Sequence, residues 1–157
     1  MTNSETSSPR QSPLIHKPIP FWLVLAFVVF SFGGFLDATY LAAKYYLGEP
    51  VVCSLLNGCE KVTTSQYAAV FGIPVALLGT LYYLTIFILT IIYIDGRKEK
   101  IFRFAARLTP VGFFVSLILI YLQIFVIHAL CLYCLISAAT STFLFIFAFF
   151  LPKKNED

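Results

Sequence analysis

Charge is scarce in this chain. Only 12% of its 157 residues are Asp, Glu, Lys or Arg, against about 25% in a soluble globular domain. So few charges cannot cover the water-facing surface of a protein this size, which excludes an ordinary cytosolic enzyme. A disordered chain is excluded too, because disorder needs low hydrophobicity. The net charge is only +3, which is no nucleic-acid signature. Methionine occurs once and cysteine four times, whereas Phe occurs 17 times and Tyr nine times. Apolar residues reach 59%, and they fall into long runs.

Residues 1–19 are polar and proline-containing and read as a disordered tail. They are too long for the charged start of a signal peptide, and no small-residue cleavage site follows the first apolar run. Phe21–Leu41 carries one charge, Asp37, and Ile73–Ile94 carries none. Each matches the roughly 20 residues that cross a bilayer as a helix. Leu108–Leu151 is 44 residues without a formal charge. As one helix it would be about 66 Å long, twice the hydrocarbon thickness of about 30 Å. It must therefore fold back once, near His128–Cys131, giving spans at 108–127 and 131–151. Four helices use up residues 20–151, and 152–157 form a second tail. A β-barrel is disfavoured because the runs are continuously apolar rather than alternating.

Basic residues orient the spans. Arg10, Lys17, Arg97, Lys98, Lys100, Arg103, Arg107, Lys153 and Lys154 fall on one side, and only Lys44 and Lys61 on the other. This bias predicts that both termini are cytoplasmic. The loop 42–72 and the turn at His128–Cys131 then face outward.

That assignment puts all four cysteines on the outer face in two close pairs. Cys53 and Cys59 flank Ser54-Leu55-Leu56-Asn57-Gly58, where Asn-Gly marks a turn that can bring the sulfurs together. Cys131-Leu132-Tyr133-Cys134 is a C-x-x-C at the mouth of the fourth span. Free first-turn N–H groups and the helix dipole favour a thiolate there. Free cysteines acting as small hydrophobes do not account for that clustering. Structural disulfides suit the first pair but not a C-x-x-C. A four-thiolate metal site lacks paired C-x-x-C knuckles, so no metal is expected. A relay between a loop pair and a membrane-embedded pair accounts for both spacings.

These residues resemble the bacterial branch of the vitamin K epoxide reductase family. The likeness runs through the spaced pair Cys53–Cys59, then Ser65, then Phe71-Gly72-Ile73-Pro74-Val75-Ala76-Leu77-Leu78-Gly79, and closes on Cys131–Cys134. It covers Phe21–Leu151. In DsbB-type quinone oxidoreductases the two kinds of pair come in the opposite order. The resemblance implies an all-α, integral membrane four-helix bundle around a quinone (ubiquinone or menaquinone). It also implies a short interfacial half-helix over Glu60–Val70 in the extracytoplasmic loop. Some relatives carry a fused thioredoxin-like domain; here a separate thioredoxin-like, DsbA-like partner is expected.

The family pattern further implies a route for electrons. A partner thiolate attacks Cys59, Cys53 is released and attacks Cys131, and Cys134 reduces the quinone. Ser65 and His128 are candidates to donate to a quinone oxygen or steady a thiolate; Ser65 can equally be helix-surface polarity and His128 an interfacial residue. Asp37, near the outer end of the first span, reads as a solvated residue at headgroup depth. Two other functions fit the same chain. One is reduction of vitamin K epoxide or quinone as the main activity; the other is a non-enzymatic four-span scaffold with structural disulfides. The expected setting is a bacterial cytoplasmic membrane, with a monomeric bundle and no nucleic-acid partner.

Overall fold

A computed structural model describes residues 19–51 and 58–151; both tails and Cys53 lie outside the described residues. Helix α1 is Phe21–Leu47, α2 is Cys59–Thr63, α3 is Val75–Gly96, α4 is Glu99–Tyr121 and α5 is Leu132–Phe149. Two short strands, β1 (Ala69–Val70) and β2 (Ile73–Pro74), pair antiparallel between α2 and α3. Helix α4 continues as a wider π-helical turn over Leu122–Ile127. Among the described residues, four helices are long and apolar enough to cross a membrane.

The four long helices form a closed ring. Helix α1 packs on α3 and α5, and α4 packs on the other sides of the same two. Polarity is inverted relative to a soluble bundle. Ser31, Thr90, Thr109, Gln123 and Ser141 are buried, while Phe114, Ile118 and Phe149 lie exposed. That is the pattern of a bundle whose solvent is lipid, where each buried hydroxyl must find a partner inside the protein. Ser31, Thr90 and Thr109 donate to the carbonyls of Phe27, Ile86 and Ala106. The last bond has a particular use. Pro110 sits inside α4 without an N–H, so the Ala106 carbonyl loses its helical donor. The neighbouring Thr109 hydroxyl replaces it at 2.7 Å.

Two apolar clusters fill the ring. One gathers Leu23, Phe27, Tyr83, Ile86, Phe102 and Leu144. The other lies at the opposite end and contains Leu41, Val51, Cys59, Val62 and Cys131.

The element boundaries depart from the apolar runs in three places. Helix α1 runs six residues beyond Leu41, ending where Gly48 adopts a left-handed conformation (φ 66°) and its N–H caps the Lys44 and Tyr45 carbonyls. Helix α4 begins at Glu99 rather than Leu108. Its charged first turns are good helix formers, and Arg103 pairs with Glu99 one turn earlier at 2.9 Å. The expected half-helix over Glu60–Val70 stops at Thr63. Thr63, Thr64 and Ser65 donate to the carbonyls of Cys59, Glu60 and Val62. Such back-bonding competes with helix propagation. The chain then enters the hairpin, turning at Phe71 and Gly72, both at positive φ (52° and 81°).

Candidate active site

The site is assembled around the start of α5. Cys131 is the residue just before that helix, with extended backbone, and its carbonyl accepts the Leu135 N–H at 3.1 Å. Its own N–H points away from the helix and donates to Gln123 Oε1 at 3.0 Å. Gln123 is itself buried in the π-helical turn, and its carbonyl accepts the Ala129 N–H at 3.0 Å. One side chain thus ties the end of α4 to the first residue of the C-x-x-C. The Cys134 thiol donates to the Cys131 sulfur, and the N–H groups of Tyr133 and Cys134 are directed at it as well. Those are the free first-turn donors of α5, and they favour a thiolate at Cys131. Both inner cysteines are free thiols.

The outer cysteine is brought against them. Cys59 opens α2, is 1% exposed and is disulfide-bonded. It shares its apolar cluster with Cys131, which is 0% exposed. Gly58 permits this contact. A Cβ there would lie 2.6 Å from the Leu130 carbonyl oxygen and 2.8 Å from its nitrogen. Only a residue without a side chain lets the two backbones approach so closely.

Below the thiols lies a cavity of about 300 Å³, enclosed by all four long helices and by the segment after α2. Its walls are apolar, with Ala38, Leu41 and Val62 among them, and Cys134 is on the wall. A few polar groups interrupt them. Tyr83 Oη donates to the Ser137 carbonyl at 2.7 Å and lies 3.0 Å from its hydroxyl. Ser116 and Ser141 are joined at 2.6 Å across α4 and α5. Ser65 also reaches the cavity, while its hydroxyl donates to the Val62 carbonyl at 2.7 Å. Its oxygen remains able to accept. His128 is placed elsewhere. It is exposed at positive φ, beside Lys61 and Leu130 in a shallow outer depression rather than on the cavity.

Asp37 is also placed differently from its reading as a solvated end residue. It lies ten residues before the end of α1, about 15 Å along the axis. Its Oδ2 is buried without a hydrogen-bond partner. The apolar run ends shortly after Asp37, but the helix does not, which is why the run understated its depth.

The family model described as the vitamin K epoxide reductase family matches residues 25–149. The chain belongs to the vitamin K epoxide reductase family. It is therefore a multi-pass membrane oxidoreductase. No curated protein matches it closely enough to add a relative's function. Enzymes of this family use quinones, and the cavity fits such a ring: it is apolar, large enough for a small ligand, and carries few polar groups. The Ser116–Ser141 pair could turn a hydroxyl to a quinone head beside Cys134, whereas the Tyr83 and Ser65 hydroxyls already donate to carbonyls and only border the site. Gln123, Tyr83 and the Ser116–Ser141 pair carry no charge and belong to no motif, so nothing in the sequence alone singles them out. The available signal was an amide and hydroxyls interrupting apolar spans.

Proposed function

We propose that this vitamin K epoxide reductase family protein oxidises the thiols of a separate thioredoxin-like protein and delivers their electrons to a membrane quinone. The observation that carries this reading is the position of Cys134. It lines the apolar cavity and is hydrogen-bonded to Cys131, which is packed in one buried cluster with Cys59.

Thiol–disulfide exchange proceeds by thiolate attack through mixed disulfides. A thiolate of the partner attacks Cys59 of a Cys53–Cys59 disulfide and releases Cys53. The second partner thiol resolves the mixed disulfide, which leaves the partner oxidised and the loop pair reduced. Cys53 then attacks Cys131 of an oxidised inner pair, and Cys59 resolves that intermediate. The inner pair is now a dithiol, with its thiolate favoured at the start of α5. A quinone bound in the cavity supplies an acceptor for two electrons and two protons. The Ser116–Ser141 pair would orient it, Tyr83 and Ser65 border it, and the apolar walls exclude water. The basic-residue asymmetry supports an orientation with cysteines on the outer face of a bacterial cytoplasmic membrane.

The test mixes purified protein, a reduced thioredoxin-like protein and a soluble quinone, and follows quinone absorbance. Quinone loss that requires the partner thiols and disappears in Cys134→Ala is the expected result. In folded protein, no loss with several quinones and partners would overturn the proposal. The order of attack is read separately by trapping. Cys53→Ser should accumulate the mixed disulfide with the partner; accumulation in Cys59→Ser alone would reverse the two loop roles.

A further inference from the structure

Asp37 is the one acidic side chain in α1. A carboxyl in a membrane-spanning helix is costly and commonly marks a proton relay. Among the described residues, its Oδ2 is the buried side-chain oxygen or nitrogen left without a partner. Buried hydroxyls elsewhere in the bundle, at Ser31, Thr90 and Ser141, are satisfied by carbonyls of their own helices. This unpaired atom therefore calls for a reason.

Packing locates it. Phe30 stacks on Phe143, and Tyr40 packs on Tyr133, so α1 and α5 run antiparallel along one seam. Asp37 falls between those two contacts, beside the first turns of α5. The ionisable groups nearest that level are Cys131, Tyr133 and Cys134 at the start of α5 and Tyr83 on α3. The Tyr83 hydroxyl is already committed to Ser137. The cation of α1, Lys44, is paired with Glu49. A thiolate on the C-x-x-C and a carboxylate at Asp37 are thus like charges sharing one poorly solvated place. Groups in that relation do not ionise independently; charging one favours protonating the other.

We propose that Asp37 is the proton store of the Cys131–Cys134 pair, an inference that rests on the relay described above. It takes up a proton when a thiolate forms on the pair and releases it when the disulfide closes. During oxidation of the dithiol, two S–H bonds break and one S–S bond forms. Two electrons and two protons leave for the acceptor quinone. Asp37 holds one of those protons between thiolate formation and disulfide closure, and ends the cycle ionised, as it began.

The test compares the wild-type protein with Asp37→Asn and Asp37→Glu, all full length. The first readout needs no quinone. In a Cys53→Ser, Cys59→Ser background, the inner thiols are alkylated with N-ethylmaleimide across a range of pH. Removing the carboxylate should move the midpoint of the Asn variant down by about one pH unit, which is tenfold more thiolate below it. The high-pH plateau should stay the same, whereas a loosened bundle would raise it. The Glu variant should keep the wild-type midpoint. The second readout is quinone reduction with all four cysteines present. It should fall about tenfold or more in the Asn variant and persist in the Glu variant. An unmoved midpoint, or undiminished turnover in the Asn variant, overturns the inference. If the Asn variant does not fold, difference infrared spectra of the wild type decide. A protonated-carboxyl band that changes when the inner pair is oxidised supports the inference, and an unchanged band overturns it. Absent quinone turnover in the wild type strikes the relay reading instead, while the alkylation midpoint still decides whether Asp37 and the thiols share a charge.

Discussion

Gln123 shows how one uncharged side chain positions a reactive sulfur. It occupies the apolar run of α4's extension and accepts the N–H that precedes α5. A nonpolar replacement leaves that buried N–H without a partner, at a cost of about 1–3 kcal/mol. Gln123→Met should therefore lower thermal stability in detergent and slow disulfide formation between Cys131 and Cys134; unchanged melting and an unchanged rate would remove Gln123 from the site. Tyr83 makes a different prediction. Its hydroxyl holds Ser137 at the cavity wall, so Tyr83→Phe removes a polar group while keeping the ring. The quinone KM should rise several-fold with little change in melting temperature. A titration of rate against quinone concentration reads this directly. Both residues were open to view in the sequence but carried no motif. Their roles depend on what a neighbouring helix brings within 3 Å.

At the scale of elements, two glycines set distances that the sulfur chemistry needs. Gly34 lies where a Cβ would fall 2.6 Å from the Tyr83 ring, whereas Gly33 faces open space. Gly34→Ala should push α1 from α3 and destabilise the bundle by about 1–3 kcal/mol, as overpacking does elsewhere. Gly33→Ala should be near neutral, so equal melting temperatures for the pair would refute this account of α1–α3 packing. Gly58 governs the other approach, between the start of α2 and the Leu130 backbone. Gly58→Ala should slow transfer from the loop pair to the inner pair. Quinone reduction driven by a small dithiol that reaches Cys131–Cys134 directly should be preserved. Equal loss with both donors would mean that the substitution damages the inner site itself. The sequence marked Gly58 only as half of an Asn-Gly turn. Its use is the close approach rather than backbone freedom, for its φ is −98°. The half-helix expectation failed in its length for a related reason. Apolar and polar residues alternate plausibly through Val70, but three consecutive hydroxyl side chains bond back to carbonyls and end α2 at Thr63.

The whole molecule is a ring of four apolar helices with its polar atoms turned inward. A cysteine introduced in place of Lys61 should react with an impermeant maleimide in intact cells. One in place of Lys98 should react only after permeabilisation. The reverse pattern would invert the proposed orientation and place the thiols in a reducing compartment. The number of spans, the class of fold and the family are legible along the chain, because long apolar runs and a spaced pair followed by a C-x-x-C are one-dimensional patterns. The same patterns single out Cys59, Cys131 and Cys134, which the structure gathers at one end of the bundle. Where each span ends depended on local capping and charge pairing, as at Gly48 and Glu99. Packing between helices decides that Cys134 lines a cavity, that His128 lies off it, and that Asp37 Oδ2 is buried at the level of the first turns of α5. The physical reason is distance along the chain. Hydrophobic periodicity reports how a helix meets its solvent. Which atoms of α1, α3, α4 and α5 meet is decided by packing between residues as many as a hundred positions apart.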